Sequence, residues 1–245
     1  MKHPKILAAL AALTLGAAAA SAETLTIATE GAYPPFNNTT ADGELVGFDV
    51  DIANALCEAM QRECEIVAQD WDGIIPGLVQ EKYDAIVASM SITEERLQSI
   101  DFTNPYYSNY LALVAKDGGS MSMDDVDGKA IGAQRSTIAS EWAEDTYGRR
   151  GDVKLYDTQT AAYSDLTAGR IDVLVSDHLP VAEWLKENPD YALIGDKIDI
   201  DDKIGIGIRQ GEDELKDAFN AALEQIRSDG TYKVINDQYF PVDIF

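Results

Sequence analysis

The chain has 245 residues, of which 43 are Asp or Glu and 19 are Lys or Arg, and its formal net charge at pH 7 is −24. Nucleic acids and anionic membrane surfaces attract basic proteins, so this charge argues against both as binding partners. The length is sufficient for one large domain or for two smaller lobes.

The first 22 residues have the pattern of a cleavable signal peptide. Lys2 and Lys5 give a positive start, residues 6–20 are an apolar run, and Ala20-Ser21-Ala22 is a small-residue cleavage site. The apolar run is too short to span a bilayer, and no later stretch of the chain reaches the necessary length. We therefore predict that residues 1–22 are removed and that the mature protein is exported, most simply to a bacterial periplasm, without being embedded in the membrane.

The next part of the chain alternates between strand and helix patterns. Residues 25–29 form a short apolar run typical of a strand, and the helical segment that follows has apolar side chains spaced along one face. Repeats of this kind predict crossover connections and a mostly parallel sheet covered by helices. The predicted elements are strands at residues 25–29, 65–68 and 84–88 and helices at residues 48–61 and 73–81.

Two cysteines, Cys57 and Cys64, enclose a short segment between a predicted helix and the next strand. In an oxidising compartment we expect them to form a disulfide, which for a loop of this size contributes about 2–3 kcal/mol. A zinc site is not expected, because the chain has no second pair of ligands at a suitable spacing.

The segment DAIVASMSITEER, from Asp84 to Arg96, places polar side chains at the end of a buried strand. The strand leads into Ser89 and Ser91, and Thr93 then opens a helical turn that brings in Arg96. Hydroxyl groups, N–H groups of a helix N-terminus and a guanidinium lie together at the carboxyl end of a strand, where open α/β sheets bind ligands. This set fits a small carboxylate. The alternative is a capped surface helix with a solvated Arg96.

A long, extended and aromatic segment at residues 106–116 separates this series from a second one. Residues 203–209 alternate like a strand and can carry the chain back to the first series. The acidic run before it, at residues 199–202, lacks the ligand spacing of a calcium loop, and we predict a solvated turn there. The other predicted elements are strands at residues 129–134, 153–156 and 172–176 and helices at residues 136–146, 158–168, 179–187, 212–228 and 231–238.

One strand leading out and another leading back predict an α/β protein of two lobes with two hinge strands and a central ligand cleft. We assign residues 23–109 and 206–245 to lobe 1. Residues 110–205, which include the hinge segments, are assigned to lobe 2. Hinge bending would close the cleft on its ligand.

Five stretches of the sequence carry a resemblance to a known family. They are TEGAYPPF (29–36), GFDVDIANALC (47–57), WDGIIPGL (71–78), ASMSITEER (88–96) and YSDLTAGRIDVLVSD (163–177). With them the chain resembles the family-3 periplasmic solute-binding proteins of ABC importers for polar amino acids, over essentially the whole mature length. It is most similar to the lysine/arginine/ornithine-binding and histidine-binding proteins and to their octopine- and nopaline-binding relatives. The resemblance implies the two-lobed periplasmic binding protein fold.

The resemblance also implies how the two charged ends of an amino acid are held. Arg96 matches the arginine that binds the ligand α-carboxylate, and Ser91 and Thr137 match donors to the same group. Asp177 matches the acceptor for the α-ammonium, and Ser89 matches a residue whose carbonyl shares that role. A zwitterion needs one cation and one anion a few ångström apart, and Arg96 and Asp177 fall in different lobes. Ligand would then join the lobes. The alternative for Asp177 is a helix N-cap.

Three further positions match residues that select the ligand side chain. Glu30 matches an acidic residue that contacts the distal cation of basic ligands, while Tyr33 and Trp71 match the two aromatic faces that enclose the ligand stem. An acid and two aromatic faces suit a guanidinium or ammonium group on an aliphatic chain. For Tyr33 and Trp71 a core-packing role is the alternative.

Three departures from the family pattern leave the ligand open. Ala88 stands where lysine/arginine/ornithine binders have a serine, the turn AQRST (133–137) is one residue shorter than theirs and brings Arg135 near the cleft mouth, and Glu30 replaces an aspartate. We favour arginine, because Glu30 can pair with a guanidinium in bidentate fashion. Lysine, ornithine, histidine and an opine stay open, as does contact of Arg135 or His178 with the ligand.

An enzyme of the same fold, such as a cyclohexadienyl dehydratase, is the alternative from another functional class. Elimination would need a general acid in the cleft. His178, the single histidine after the signal peptide, is predicted to be an exposed residue of a first helical turn. We therefore expect a monomeric binding protein that is not an enzyme, has no cofactor and no metal, and delivers an amino acid to an inner-membrane ABC permease.

Overall fold

The structure, a computed structural model, describes residues Thr24–Phe245, and the predicted signal peptide lies outside the described residues. The strands are β1 (Leu25–Thr29), β2 (Ala32–Tyr33), β3 (Asn37–Thr39), β4 (Leu45–Val46), β5 (Cys64–Ala68), β6 (Ala85–Ile86), β7 (Ile100–Phe102), β8 (Tyr107–Lys116), β9 (Ala130–Gln134), β10 (Asp152–Tyr156), β11 (Val173–Asp177), β12 (Tyr191–Leu193), β13 (Ile198–Ile204) and β14 (Gly207–Arg209). The α-helices are α1 (Phe48–Ala59), α2 (Trp71–Val79), α3 (Ile138–Tyr147), α4 (Gln159–Thr167), α5 (His178–Glu187), α6 (Asp213–Ser228) and α7 (Thr231–Tyr239). The predicted α/β class with two lobes is confirmed.

The first lobe is built on a sheet with the strand order β5-β1-β6-β14-β7. Strand β1 is parallel to β5 and β6, whereas β14 is antiparallel to β6 and β7. Alternate residues of β1 enter different cores: Ile27 packs with α1, α6 and α7, and Ala28 packs with α2. Burial on both faces explains why this strand, LTIAT, contains no charged residue.

The second lobe is built on a sheet with the order β10-β9-β11-β8-β12, and β13 also pairs with β8. Strand β9 is parallel to β10 and β11, and β8 is antiparallel to β11, β12 and β13. Along β8, Leu111 and Leu113 face α3, while Ala112 and Val114 face α4 and α5. The helices thus cover both faces, as the repeated strand and helix pattern predicts.

The chain returns to the first lobe through two strands instead of the single strand predicted at residues 203–209. β13 pairs in the second sheet and β14 in the first, and the chain changes sheet at Gly205 and Ile206. A Cβ atom at Gly205 would lie 2.9 Å from the Ile92 side chain and 3.1 Å from that of Phe102, so the crossing is tightly packed. The lobe boundaries predicted at residues 109/110 and 205/206 stay predictions.

One local prediction is wrong. Residues 199–202 are not a solvated turn but part of β13, and Asp202 is buried. The helical turn predicted to open at Thr93 is present as a short 3-10 turn, Arg96–Gln98, and it ends early because β7 begins at Ile100. The Thr93 hydroxyl still accepts a hydrogen bond from the Arg96 N–H at 3.2 Å.

The disulfide between Cys57 and Cys64 is formed and joins α1 to the start of β5. Helix α1 ends at Ala59, two residues earlier than predicted, and Gln61 just after it has a positive φ of 54°. Among Thr24–Phe245, no helix is both long enough and apolar enough to cross a membrane.

Candidate functional site

A cavity lies between the two lobes, at the carboxyl ends of β1, β6, β9 and β11. All eight residues predicted from the sequence line it: Glu30, Tyr33, Trp71, Ser89, Ser91, Arg96, Thr137 and Asp177. The rest of its lining consists of Ala88, Gln134, Ile138, Ala139, Gln159 and Ser176. Within the described part of the chain, Arg135 and His178 are not among the lining residues.

Arg96 is the cation of this cavity and is held by backbone carbonyls. One terminal nitrogen donates to the Ser91 carbonyl at 2.8 Å and the other to the Ser136 carbonyl, across the cleft, at 3.0 Å. The guanidinium carbon lies 5.4 Å from the centre of the Trp71 ring. Burial lowers the pKa of Arg96, but a guanidinium stays protonated in proteins. Since no carboxylate between Thr24 and Phe245 forms an ion pair with Arg96, its charge is open to an anionic ligand.

The wall opposite Arg96 is the N-terminus of α3. Thr137 caps this helix: its hydroxyl accepts the Ser140 N–H and its own N–H donates to the Ser140 hydroxyl, both at 3.2 Å. The Thr137 hydroxyl donates its own proton to the Gln134 carbonyl at 2.7 Å, so the hydroxyl and the N–H of Thr137 both already have acceptors within the protein, and the role of Thr137 as a donor to the ligand stays a prediction. Ile138 and Ala139 also line the cavity, and first-turn N–H groups favour an anion.

Asp177 is the last residue of β11 and faces the cavity from the second lobe. It occupies the N-cap position of α5, but its carboxylate makes no capping hydrogen bond. Instead it accepts the Tyr33 hydroxyl of the first lobe at 2.5 Å. The pKa of Asp177 is raised to about 6, mainly by burial and in smaller part by the nearby Asp202 carboxylate, while the Tyr33 hydrogen bond acts in the opposite direction. The carboxylate is thus placed where a ligand cation would be favourable, so helix capping is not its role.

Glu30 is almost fully buried between the lobes. Its carboxylate accepts a hydrogen bond from Gln134 Nε2 of the second lobe at 2.7 Å. The pKa of Glu30 is raised to about 7, mainly by burial and in smaller part by the nearby Asp70 and Asp72, while the Gln134 hydrogen bond acts in the opposite direction. A cation beside Glu30 would favour the ionised carboxylate.

Trp71 is the first residue of α2, and its ring lines the cavity. The indole N–H donates to the Ser136 carbonyl of the second lobe at 3.1 Å, the same oxygen that Arg96 contacts. Ser136 has a positive φ of 57°, in the left-handed region that non-glycine residues adopt rarely. Nearby, the half-exposed Arg135 pairs with Asp157 at 2.8 Å and, across the two lobes, with Asp72 at 3.8 Å.

Several polar lining or neighbouring residues were missed by the sequence reasoning. Asp202 accepts hydrogen bonds from the Ser91 hydroxyl at 3.1 Å and from Asn109 Nδ2 at 2.8 Å. Among the described residues, its other oxygen, Gln159 Nε2 and Ser176 Oγ are buried without a well-formed hydrogen bond. For Asp202 a signal existed, because isoleucines 198, 200 and 204 repeat with the period of a strand. For the buried amide side chain of Gln159, the sequence contains no comparable pattern.

The chain also matches known proteins over its whole folded length. Residues 25–242 match the bacterial extracellular solute-binding proteins, family 3. The L-arginine-binding protein of Pseudomonas aeruginosa is 41% identical over 256 residues, covering 100% of this chain and 99% of the relative. A putative ABC transporter arginine-binding protein 2 of Escherichia coli K12 is 40% identical, covering 98% and 99%. A Salmonella typhimurium periplasmic binding protein, solved to explain its high arginine specificity, superposes with a TM-score of 0.83 at 32% identity, covering 89% and 99%.

Proposed function

The chain belongs to the bacterial extracellular solute-binding proteins of family 3, and from this premise we propose that it is the substrate-binding component of an ABC transporter for basic amino acids. Arginine is the favoured ligand. Lysine, ornithine, histidine and opines are the other candidates. The relatives described above are named as arginine-binding proteins, which supports a binding role rather than the dehydratase alternative.

The single observation that carries the proposal is the charge pattern of the cavity between the lobes. One guanidinium, Arg96, shares it with two carboxylates, that of the buried Glu30 and that of the half-buried Asp177. A basic amino acid has the complementary pattern of one carboxylate and two cations. Each group would gain most where the closed cleft excludes water.

Side-chain selection is assigned to Glu30, Tyr33 and Trp71. Glu30 would take the distal cation, with one of its oxygens already oriented by Gln134 at 2.7 Å. Tyr33 and Trp71 line the same cavity and would pack along the aliphatic stem. A guanidinium suits this end best, because it can hydrogen-bond a carboxylate and stack on an aromatic face at once.

Ligand binding would close the two lobes. Arg96, Glu30 and Trp71 belong to the first lobe, whereas Asp177 and Thr137 belong to the second. A ligand can contact the residues of both lobes at once only in the closed state. Because the ligand binds this state more tightly, it shifts the population towards the closed state. Binding in the micromolar range would correspond to about 8 kcal/mol.

The setting of this function follows from the sequence. A signal peptide at residues 1–22 would export the chain to the periplasm, where it would act as a monomer. It would deliver its ligand to an inner-membrane permease, which fits the transporter name of the Escherichia coli relative.

A ligand panel tests the proposal. Isothermal titration and thermal shift would be run with the twenty amino acids, ornithine, citrulline and octopine, and prephenate and arogenate would be assayed for turnover. Arginine should raise the melting temperature most, and no turnover should occur. Arg96→Ala should abolish binding of every amino acid.

Arg135→Ala is the matched control. It removes a guanidinium that forms solvent-exposed ion pairs with Asp157 and Asp72 and does not line the cavity, so arginine affinity should stay within about threefold. If no amino acid bound the wild type, or if the two variants lost affinity equally, the proposed site would be wrong.

A further inference from the structure

Asp49 is a buried carboxylate that the ligand site described above does not use. It lies in the first turn of α1, is 0% exposed and does not line the cavity. Its oxygens accept three hydrogen bonds: from Tyr106 Oη at 2.7 Å, from Asn37 Nδ2 at 2.9 Å and from Ser89 Oγ at 2.9 Å. A buried charge with three donors is costly to place and strongly fixes what it binds.

The first part of this hydrogen-bond network holds the segment that follows β6. Ser89 has a positive φ of 52°, a strained conformation for a residue with a side chain. Its hydroxyl donates to Asp49, and its N–H donates to Tyr106 Oη at 3.1 Å, so both of its donors end on the same pair. Asp49 and Tyr106 together hold Ser89 in a conformation that it would otherwise rarely adopt.

The second arm reaches the segment that follows β1. Asn37 donates to Asp49 through Nδ2, and its Oδ1 accepts the N–H of Gly31 at 2.8 Å. Gly31 is the residue next to Glu30. The side chain of Asn37 is 0% exposed, so water cannot replace either hydrogen bond.

We propose that Asp49 is a positioning residue of the ligand site, which fixes the Ser89 and Glu30 segments relative to each other before ligand arrives. The inference rests on the proposed function, since Glu30 is assigned there to the distal cation of the ligand, and Ser89 matches a residue whose carbonyl contacts the α-ammonium. A site that is held in its binding geometry loses less entropy when ligand binds. Asp49 thereby contributes to affinity without touching the ligand.

The test compares Asp49→Asn with a matched control on the same helix. Asp51, two residues further along α1, accepts the Tyr239 hydroxyl at 2.7 Å and does not line the cavity. Asp49→Asn should weaken arginine binding at least tenfold in isothermal titration. Asp51→Asn should lower the free energy of unfolding in urea but leave arginine affinity within twofold.

Amide hydrogen exchange of the ligand-free protein gives a readout that general destabilisation would not reproduce. Asp49→Asn should speed exchange at the N–H groups of Gly31 and Ser89, which are 58 positions apart in sequence, and Asp51→Asn should not. Tyr106→Phe removes one hydroxyl from the network, so it should speed exchange at Ser89 alone and weaken binding. If Asp49→Asn fails to fold, the exchange rate at Ser89 and the arginine affinity of Tyr106→Phe test the positioning role instead.

The outcomes separate the two proposals. If the wild type bound no basic amino acid, the proposed function would be wrong, while the exchange rates would still decide whether Asp49 holds the two segments. If the wild type bound arginine, and the folded Asp49→Asn or Tyr106→Phe protein matched it in affinity and exchange, the positioning role would be overturned. Equal losses of affinity in Asp49→Asn and Asp51→Asn would also overturn it.

Discussion

Lowering the pH from 8 to 5 should weaken arginine binding steeply, because two cavity carboxylates have raised pKa values. Burial raises the pKa of Glu30 to about 7 and that of Asp177 to about 6. Arginine would place a cation beside each, so both must be ionised in the complex. Affinity is therefore fully present above pH 7 and is lost as the pH falls through these two values.

The magnitude follows from the fraction of each carboxylate that is protonated in the free protein. At pH 5, a group with a pKa of 7 must lose a proton at a cost of about 100-fold in affinity, and one with a pKa of 6 at a cost of about tenfold. The combined loss between pH 8 and pH 5 is about 1,000-fold, or about 4 kcal/mol. The groups of arginine itself do not titrate in this range.

Other carboxylates near the cavity also affect the pKa values of Glu30 and Asp177. Asp70 and Asp72 face Glu30 and raise its pKa, and Asp202 does the same for Asp177. Burial raises the pKa of Asp49 to about 6, so below pH 6 protonation of this carboxylate would loosen the hydrogen-bond network proposed above and add to the loss of affinity.

Isothermal titration at pH 5, 6, 7 and 8 in two buffers of different ionisation enthalpy would measure the dissociation constant and the protons released. Near pH 7, binding should release about half a proton from Glu30. Glu30→Gln removes the upper titration, so its remaining dependence should be about tenfold. A wild-type dissociation constant that changed less than threefold between pH 5 and pH 8 would refute the reasoning.

Three further predictions concern stability and closure. Since the folded-state pKa of Glu30 lies above its unfolded value of 4.5, ionised Glu30 costs the ligand-free protein stability above pH 7. Glu30→Gln should raise the free energy of unfolding in urea at pH 8 by up to about 3 kcal/mol, and an unchanged value would contradict the burial argument. Trp71→Phe keeps an aromatic face but removes the hydrogen bond from the indole N–H to the Ser136 carbonyl of the other lobe. In stopped-flow measurements arginine should therefore dissociate about fivefold faster. An unchanged dissociation rate would mean that the indole N–H does not hold the two lobes together. Replacing Cys57 and Cys64 together by serine should lower the free energy of unfolding by about 2–3 kcal/mol, with arginine affinity as the control that stays constant.

The elements that the sequence predicts well are those with a strong hydrophobic period. Strand β1 was predicted with its observed ends, and α6 within one residue, because their patterns match a buried strand and an amphipathic helix. The capping chemistry of Thr93 predicts the helical turn at Arg96 but not its length, because that depends on how soon the chain must enter the next strand. Only the pairing of β7 with β14 determines that.

The polar network of the site was beyond the sequence reasoning for a different reason. The burial of Asp202 depends on β13 pairing with β8, which brings Asn109 opposite it in the register. Gln134 is buried through its contact with Glu30, which is 104 positions away in the sequence. Asp49 is buried through its contact with Ser89, which is 40 positions away. An isolated Gln or Asp in a sequence carries no mark of such a partner.

The cost of the buried acids and the preference for a basic ligand have the same origin. Removing Glu30 and Asp177 from water without a cation beside them destabilises the ionised protein, and their raised pKa values measure that cost. A ligand with two cations relieves it at both positions, whereas an amino acid with a neutral side chain relieves it only at Asp177. Selectivity then comes from a penalty that neutral ligands leave in place as well as from a contact that arginine adds. Since protonation of Glu30 removes the same penalty, selectivity for arginine over neutral amino acids has to fall along with affinity as the pH drops below 7.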